Sequence, residues 1–186
     1  MTATYIIIAV LVLLLLFVAV SYNGLIASRN QADEALSDID VQMKRRYDLI
    51  PNLVESVKGY VKQEKSVLEE VTQARANAIA AGGQGLAEQQ KAENMLTGAL
   101  RSVFAVAENY PDLKSTANFQ QLSSELTDTE NKIEAARRFY NATVRDFNTK
   151  LQTLPTSLFA SMLGFSKKDL FVLDEAAAKQ PVKVEF

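Results

Sequence analysis

The stretch KRRYDLIPNLVESVKGY, residues 44–60, decides how this chain is read. Its apolar residues recur every three or four positions, as on one face of a helix, yet it carries Pro51 in the middle and an arginine pair beside the apolar stripe. Working outward, the positions seven apart are Leu36, Met43, Ile50, Val57, Glu64, Val71 and Ala78, and the set three further on is Ile39, Arg46, Leu53, Tyr60, Val67 and Ala74. This is a heptad seam of coiled-coil type with two polar interruptions, Arg46 and Glu64. A third row, Tyr47, Val54, Val61 and Leu68, widens the stripe to what a bundle helix needs to bury more than one neighbour.

Pro51 has no N–H and its ring presses on the carbonyl of Tyr47, so the helix either kinks there or restarts with Asp48 as N-cap and Pro51 in the first turn. Arg45, Arg46, Tyr47, Asp48 and Asn52 flank this joint, where freed backbone groups and a crossing helix require polar partners. Arg46 and Glu64 share a helix face but lie about 27 Å apart along it, so they cannot pair with each other. Each needs a partner on another helix of this chain, on another subunit, or in solvent at the end of its apolar stem.

Toward the N-terminus the seam passes through Ala32 and Leu25 into residues 3–22, which are almost purely aliphatic, and no charge precedes Arg29. About 20 helical residues cover the hydrocarbon layer of a bilayer, and Tyr5 and Tyr22 fall where interfacial aromatics sit. The competing reading, a cleaved signal peptide with Ala19-Val20-Ser21 as its processing site, lacks a basic leading region and is too long in its apolar run. Because the first basic residue follows the span, the charge bias favours a short N-tail outside and the body in the cytoplasm.

Toward the C-terminus, Gly82, Gly83 and Gly85 end the first long helix, read as residues 23–80, and turn the chain back. A second helix over 86–109 has Leu96, Ala99, Leu100, Val103, Phe104 and Ala107 on its apolar face and stops at Asn109-Tyr110-Pro111-Asp112. A third over 118–153, with Asn118 and Gln121 placed as a capping box, carries Phe119, Leu126, Ile133, Tyr140 and Phe147 in one row, and Leu122, Thr129, Ala136 and Thr143 in another. The fold class is therefore all-α: one transmembrane helix (1–22), then an elongated antiparallel bundle of three long helices (23–153), the first kinked or split near Pro51. A division of that first helix gives four segments. Residues 154–186 read as a short apolar helix followed by a loosely held tail, unless Val182, Val184 and Phe186 dock. In the apolar part, Leu158, Phe159, Met162, Leu163 and Phe165 either pack on the end of the bundle or touch lipid, with Lys167 and Lys168 at headgroup level.

Composition narrows the chemistry. The chain of 186 residues contains no Cys, His or Trp, which removes disulfides, thiolate nucleophiles, imidazole acid-base catalysis and the usual zinc ligands. With 20 basic and 22 acidic side chains, all after the span, the body is near neutral, which argues against a nucleic-acid partner. Asp33, Glu34, Asp38 and Asp40 do not share one helix face and read as a solvated acidic surface instead of a metal site. The glycine cluster is followed by Leu-Ala-Glu, without the Lys-Ser/Thr of a phosphate-binding loop. No cofactor is expected.

The chain resembles the LemA family of bacterial membrane proteins. The resemblance rests on Tyr22-Asn23, Arg29-Asn30, Ile39-Asp40-Val41, the KRRYDLIPNLV run at 44–54, Val57-Lys58-Gly59-Tyr60, Ala74-Arg75, the ENYPDL turn at 108–113, Ala136-Arg137-Arg138-Phe139-Tyr140-Asn141 and Gly164-Phe165. It covers essentially the whole chain and adds Arg137, Arg138 and Tyr140 to the residues of interest. Two departures are Leu36, where many relatives carry an aromatic, and Gln63-Glu64, where they carry His-Glu; the second puts any mechanism needing imidazole there in doubt. The resemblance implies an all-α bundle anchored in the bacterial inner (cytoplasmic) membrane without an assigned activity, relatives linked with membrane organelle formation, and members that neighbour membrane metalloprotease genes.

Three functions are compatible with these residues. The favoured one is a non-enzymatic scaffold that spans the bilayer, self-associates as a homo-oligomer and organises or shapes the membrane. The second is an adaptor or accessory of a membrane-protein partner such as a protease. The third is a hydrolase using carboxylates such as Asp48, Glu55 or Glu64.

Overall fold

The computed structural model describes residues 2–61 and 64–172. Its elements are all helical: α1 (Thr2–Lys58), α2 (Lys65–Ala81), α3 (Leu86–Glu108), the single turn α4 (Pro111–Lys114) and α5 (Ala117–Gln152), followed by a 3-10 turn at Thr156–Leu158. The chain is an all-α helical bundle protein with one long apolar N-terminal helix. The C-terminal stretch containing Val182, Val184 and Phe186 lies outside the described residues, as does Gln63.

Pro51 does not divide the first helix, because α1 continues through it to Lys58 with no restart at Asp48. The break comes later, between Gly59 and Glu64, where the N–H groups of Tyr60 and Val61 both turn back onto the Val57 carbonyl. A Cβ at Gly59 would meet nothing, so the break reflects glycine's poor helix propensity and the gain from folding α2 back, not crowding. The heptad seam runs on through this break in the sequence, which is why 23–80 reads as one helix there. Tyr60, on a seam position, stands 43% exposed at the turn.

The next reversal uses residues 82–85, and the left-handed φ of +101° falls on Gly85 at the start of α3, not on the residue ending α2. α2 and α3 pack on each other as a helical hairpin. At the start of α5 the cap is Thr116, whose Oγ1 accepts the Phe119 N–H, in place of the Asn118 and Gln121 pair. Asn118 instead donates to Ser56 on α1 at 2.7 Å.

The chain divides into two compact units. The second unit, Asp40–Ala135 with Phe171–Phe186, is a four-helix bundle built from 40–58 of α1, α2, α3 and 117–135 of α5. Its core contains Ile50, Leu53, Val57, Val71, Leu96, Val103 and Leu126, the residues the seams place inward. The first unit, Met1–Ile39 with Ala136–Leu170, packs the C-terminal half of α5 against α1 near Leu25, with Phe147, Leu151, Ala160 and Phe165 in the cluster. Within it, side chains 2–17 of α1 are exposed on every face, although nearly all are apolar.

Candidate functional site

Of the groups that the sequence sets around Pro51, Arg46 and Tyr47 meet side chains of α3 and α5 in the second unit. Arg46, a seam residue, is only 2% exposed, because the seam turns it inward. Its Nη2 donates to Glu93 Oε2 of α3, while Nη1 donates to Glu130 Oε2 of α5 and to Thr97 Oγ1 of α3, the last at 3.2 Å. Tyr47 OH donates to the other Glu93 oxygen. One guanidinium thus ties three helices together, and a carboxylate buried with it has both oxygens engaged. Glu130 keeps 32% of its side chain exposed, so its charge is shared with water.

This arrangement joins helices of one bundle. A buried carboxylate is tolerable when paired and hydrogen-bonded, and costly when it is not. Burial pushes the Tyr47 phenol above its ordinary value, with Asp40 adding to this and the Arg46 charge opposing it, so the hydroxyl remains a donor at neutral pH. Neither Arg46 nor Glu93 is presented to solvent for a substrate.

The proline has its own partner. Without an N–H at position 51, the Tyr47 carbonyl loses its usual helical donor, and Arg75 Nε of α2 supplies a hydrogen bond there at 2.6 Å. Pro51 therefore persists inside α1 because a neighbouring helix satisfies the group it orphans. One seam away, Glu64 accepts from Tyr110 OH at 2.8 Å, which links the start of α2 to the turn after α3 and raises the Tyr110 phenol. Asp40 likewise accepts from Gln89 at 3.0 Å.

The other sequence candidates do not join this cluster. Arg45, Asp48, Pro51 and Asn52 lie on the exposed face of α1. A hydrogen bond from Lys132 holds the Asp128 carboxyl below its usual range, and the Arg45 charge adds to it. Arg137, Arg138 and Tyr140 belong to the first unit, where Arg137 is half-buried, Arg138 exposed and Tyr140 buried with its hydroxyl donating to the Asp169 carbonyl at 2.9 Å. Leu158, Met162 and Leu163 are exposed and Phe159 half-buried. Phe165 is not on that surface: its ring stacks edge-on to Tyr22 and Phe147 and lies beneath the Arg29 guanidinium, 5.8 Å from its centroid. The short apolar helix expected there is a series of turns, and Lys168 points to Asp33 of α1 rather than to a headgroup level.

Sequence reading missed Glu93, Thr97, Glu130 and Arg75. A signal for Glu93 was present, since it lies in phase with Leu96 and Leu100 and interrupts the α3 seam as Arg46 interrupts that of α1. Two opposite polar interruptions on neighbouring seams are each other's natural partners. Among the described residues no group of three His, Cys, Asp or Glu side chains converges as a metal site. A groove of about 1020 Å³ between α1 and α2 is walled by Val54, Val61 and Leu68 with Glu55, Lys58 and Lys65 at its rim. Its charged groups are solvated, unlike the desolvated pairs that tune catalytic acids and bases.

Together these features define a class: a helical protein with, among the described residues, one helix long and apolar enough to span a membrane, and a bundle with a buried, paired arginine. The LemA family pattern matches residues 35–186, and the chain belongs to the LemA family. Protein LemA of Metamycoplasma hominis is 30% identical over 155 residues, which cover 82% of this chain and 69% of that protein. Magnetosome protein MamQ of Magnetospirillum gryphiswaldense is 22% identical over 174 residues, 81% of this chain and 64% of the relative. Magnetosome protein MamQ 2 of Paramagnetospirillum magneticum is 23% identical over the same length, and this chain again spans 64% of it. None of these names describes an enzymatic activity.

Proposed function

We propose that this protein is a non-enzymatic, membrane-anchored scaffold that self-associates and organises or shapes the membrane around it. The observation that carries this reading is α1 itself. One helix supplies a stretch that is apolar on all faces and exposed, and then a stretch with a buried stripe whose arginine is paired with carboxylates of the same chain. A helix that is apolar all round needs lipid or protein about it, while the bundle needs neither. The relatives named as magnetosome proteins fit a part in building a compartment. The body lies in the cytoplasm, an orientation supported by Arg29 being the first charge and following the span.

Cross-linking in native membranes followed by measurement of the extracted mass tests the assembly. Multiples of the chain's own mass are expected, and a strictly monomeric protein with no companion would overturn the reading. Because the chain contains no cysteine, a single Cys introduced at the exposed Lys58 and probed with a membrane-impermeant maleimide reports orientation. Protection in intact cells is expected, and labelling would reverse the assignment.

A further inference from the structure

We infer that the turn at residues 154–164 is a second membrane-contacting element, which inserts Leu158 and Met162 into the interfacial layer of the same leaflet that α1 enters. This rests on the reading that residues 3–22 lie in the bilayer, and it adds a lipid-binding surface formed by the opposite end of the chain.

The depth of the turn follows from its neighbours in the first unit. Lys150 Nζ donates to Ser28 Oγ and Leu151 packs in the cluster with Leu25, so α5 runs antiparallel to α1 and heads toward the apolar stretch. Ala160 and Phe165 pack in that same cluster, and the Phe165 ring meets Tyr22 at 5.7 Å between centroids. The chain then returns along α5. The Asn148 side chain holds both backbone groups of Lys168, at 3.0 and 2.9 Å, and Tyr140 holds the Asp169 carbonyl. Residues 154–164 are thus the apex of a hairpin-like excursion at the level of Tyr22, the interfacial aromatic. α1 is half-covered at Ser21, beside Tyr22, and again one turn deeper at Val18. Val18 lies about 6 Å beyond Tyr22 into the apolar stretch.

The chemistry of the turn fits lipid. From Leu151 to Ser166 the sequence LQTLPTSLFASMLGFS contains no charged residue. Leu154, Leu158 and Met162 are 75%, 70% and 85% exposed, which is a costly way to meet water and an ordinary way to meet acyl chains. Cationic groups border the patch on its polar side: Arg29 over Phe165 and Lys150 on Ser28, with Lys167 next in sequence. Lysines and arginines at that border suit anionic headgroups. Lys168, on Asp33, is about 16 Å along α1 from Tyr22 and belongs to the water-facing side.

The chain contains no tryptophan, so one introduced residue is a unique depth probe. The full-length Met162→Trp variant is reconstituted into phosphatidylcholine and phosphatidylglycerol vesicles carrying bromine either near the headgroup end or near the tail end of the acyl chains. Leu158→Trp is a second probe of the turn, Leu13→Trp reports the span, and Glu69→Trp in α2 reports water. The inference expects blue-shifted emission from Met162→Trp and Leu158→Trp, quenched several-fold more by shallow than by deep bromine, with Leu13→Trp quenched by deep bromine and Glu69→Trp by neither. Quenching of Leu13→Trp alone would overturn the inference and leave the anchor intact. A blue shift in the turn that is insensitive to bromine but lost on dilution into excess lipid would overturn it in favour of a second copy covering the patch. If no variant is quenched, the anchored reading beneath the inference fails as well.

Discussion

The two units of this chain place their polar and apolar groups in opposite ways. In the second unit the most consequential buried group is a charge, Arg46, and its partners Glu93, Glu130, Thr97 and Tyr47 all come from the same chain. In the first unit the central group is an aromatic ring, Phe165, and the apolar residues around it spill onto the surface at Leu158 and Met162. The contrast teaches which unit is complete. A bundle with its buried charges paired can be stable in water, whereas a unit that exposes aliphatic side chains all round the first turns of α1 and on a turn is finished only by a medium that covers them.

The comparison can be broken most severely at Arg46. Arg46→Ala leaves Glu93 buried without its guanidinium, and thermal unfolding followed by circular dichroism in detergent should show a loss of about 3–5 kcal/mol. A loss below about 1 kcal/mol would mean that the charge is solvated and that the second unit is not organised around it. In the first unit, Phe165→Ala removes the ring between Tyr22 and Phe147 and should cost about 3 kcal/mol. Hydrogen exchange should show the opening confined to α1 near Leu25 and to the end of α5, leaving amides of α2 and α3 as protected as before.

A finer test addresses the joint at Pro51. Arg75→Ala should cost about 1.5 kcal/mol in the natural sequence, the low end for a hydrogen bond from a charged group. In a Pro51→Ala background the restored amide supplies the Tyr47 carbonyl, so the same substitution should cost clearly less. Equal costs in the two backgrounds would show that Arg75 does not act through that carbonyl.

The smallest effect concerns pH, and each unit contributes a phenol that is raised chiefly by burial. Burial raises Tyr47 and Tyr140 from the ordinary value of 10.0. A phenol held protonated by the fold contributes stability that is fully present below about pH 10 and is lost as pH rises through its folded value. Alkaline titration should therefore destabilise the protein above about pH 10, and Tyr47→Phe with Tyr140→Phe should flatten that limb while leaving the acid side alone. An alkaline limb unchanged in the double variant would remove these phenols from the account.

Most of this architecture was legible in the sequence because its signals are local. The apolar run before Arg29, the reversals at 82–85 and 109–112, and the rows led by Phe119 and Leu96 fix helices and their buried faces by period alone. What was illegible depended on tertiary exchange. Pro51 is kept inside α1 by Arg75, a donor 28 positions from the Tyr47 carbonyl it satisfies, while the modest signal of Gly59 becomes the real break because α2 gains more by folding back than by continuing. Phe165 read as one of five equivalent apolar residues, yet it alone is turned inward beneath Arg29, a contact no period announces. Arg46 was recognisable as needing a partner, but only the fold brings Glu93 and Glu130 to it.

The central claim is that the Arg46 cluster is a joint within one chain. The most direct test is the variant Arg46→Met, Tyr47→Phe, Glu93→Leu, which replaces the buried set with apolar side chains of similar size, examined for extracted native mass and thermal stability together. The account predicts an unchanged assembly with stability equal to the natural protein or higher, since well-packed apolar residues substitute for a buried ion pair without loss. A variant that folds but no longer assembles would contradict it, and would place those charges between subunits instead.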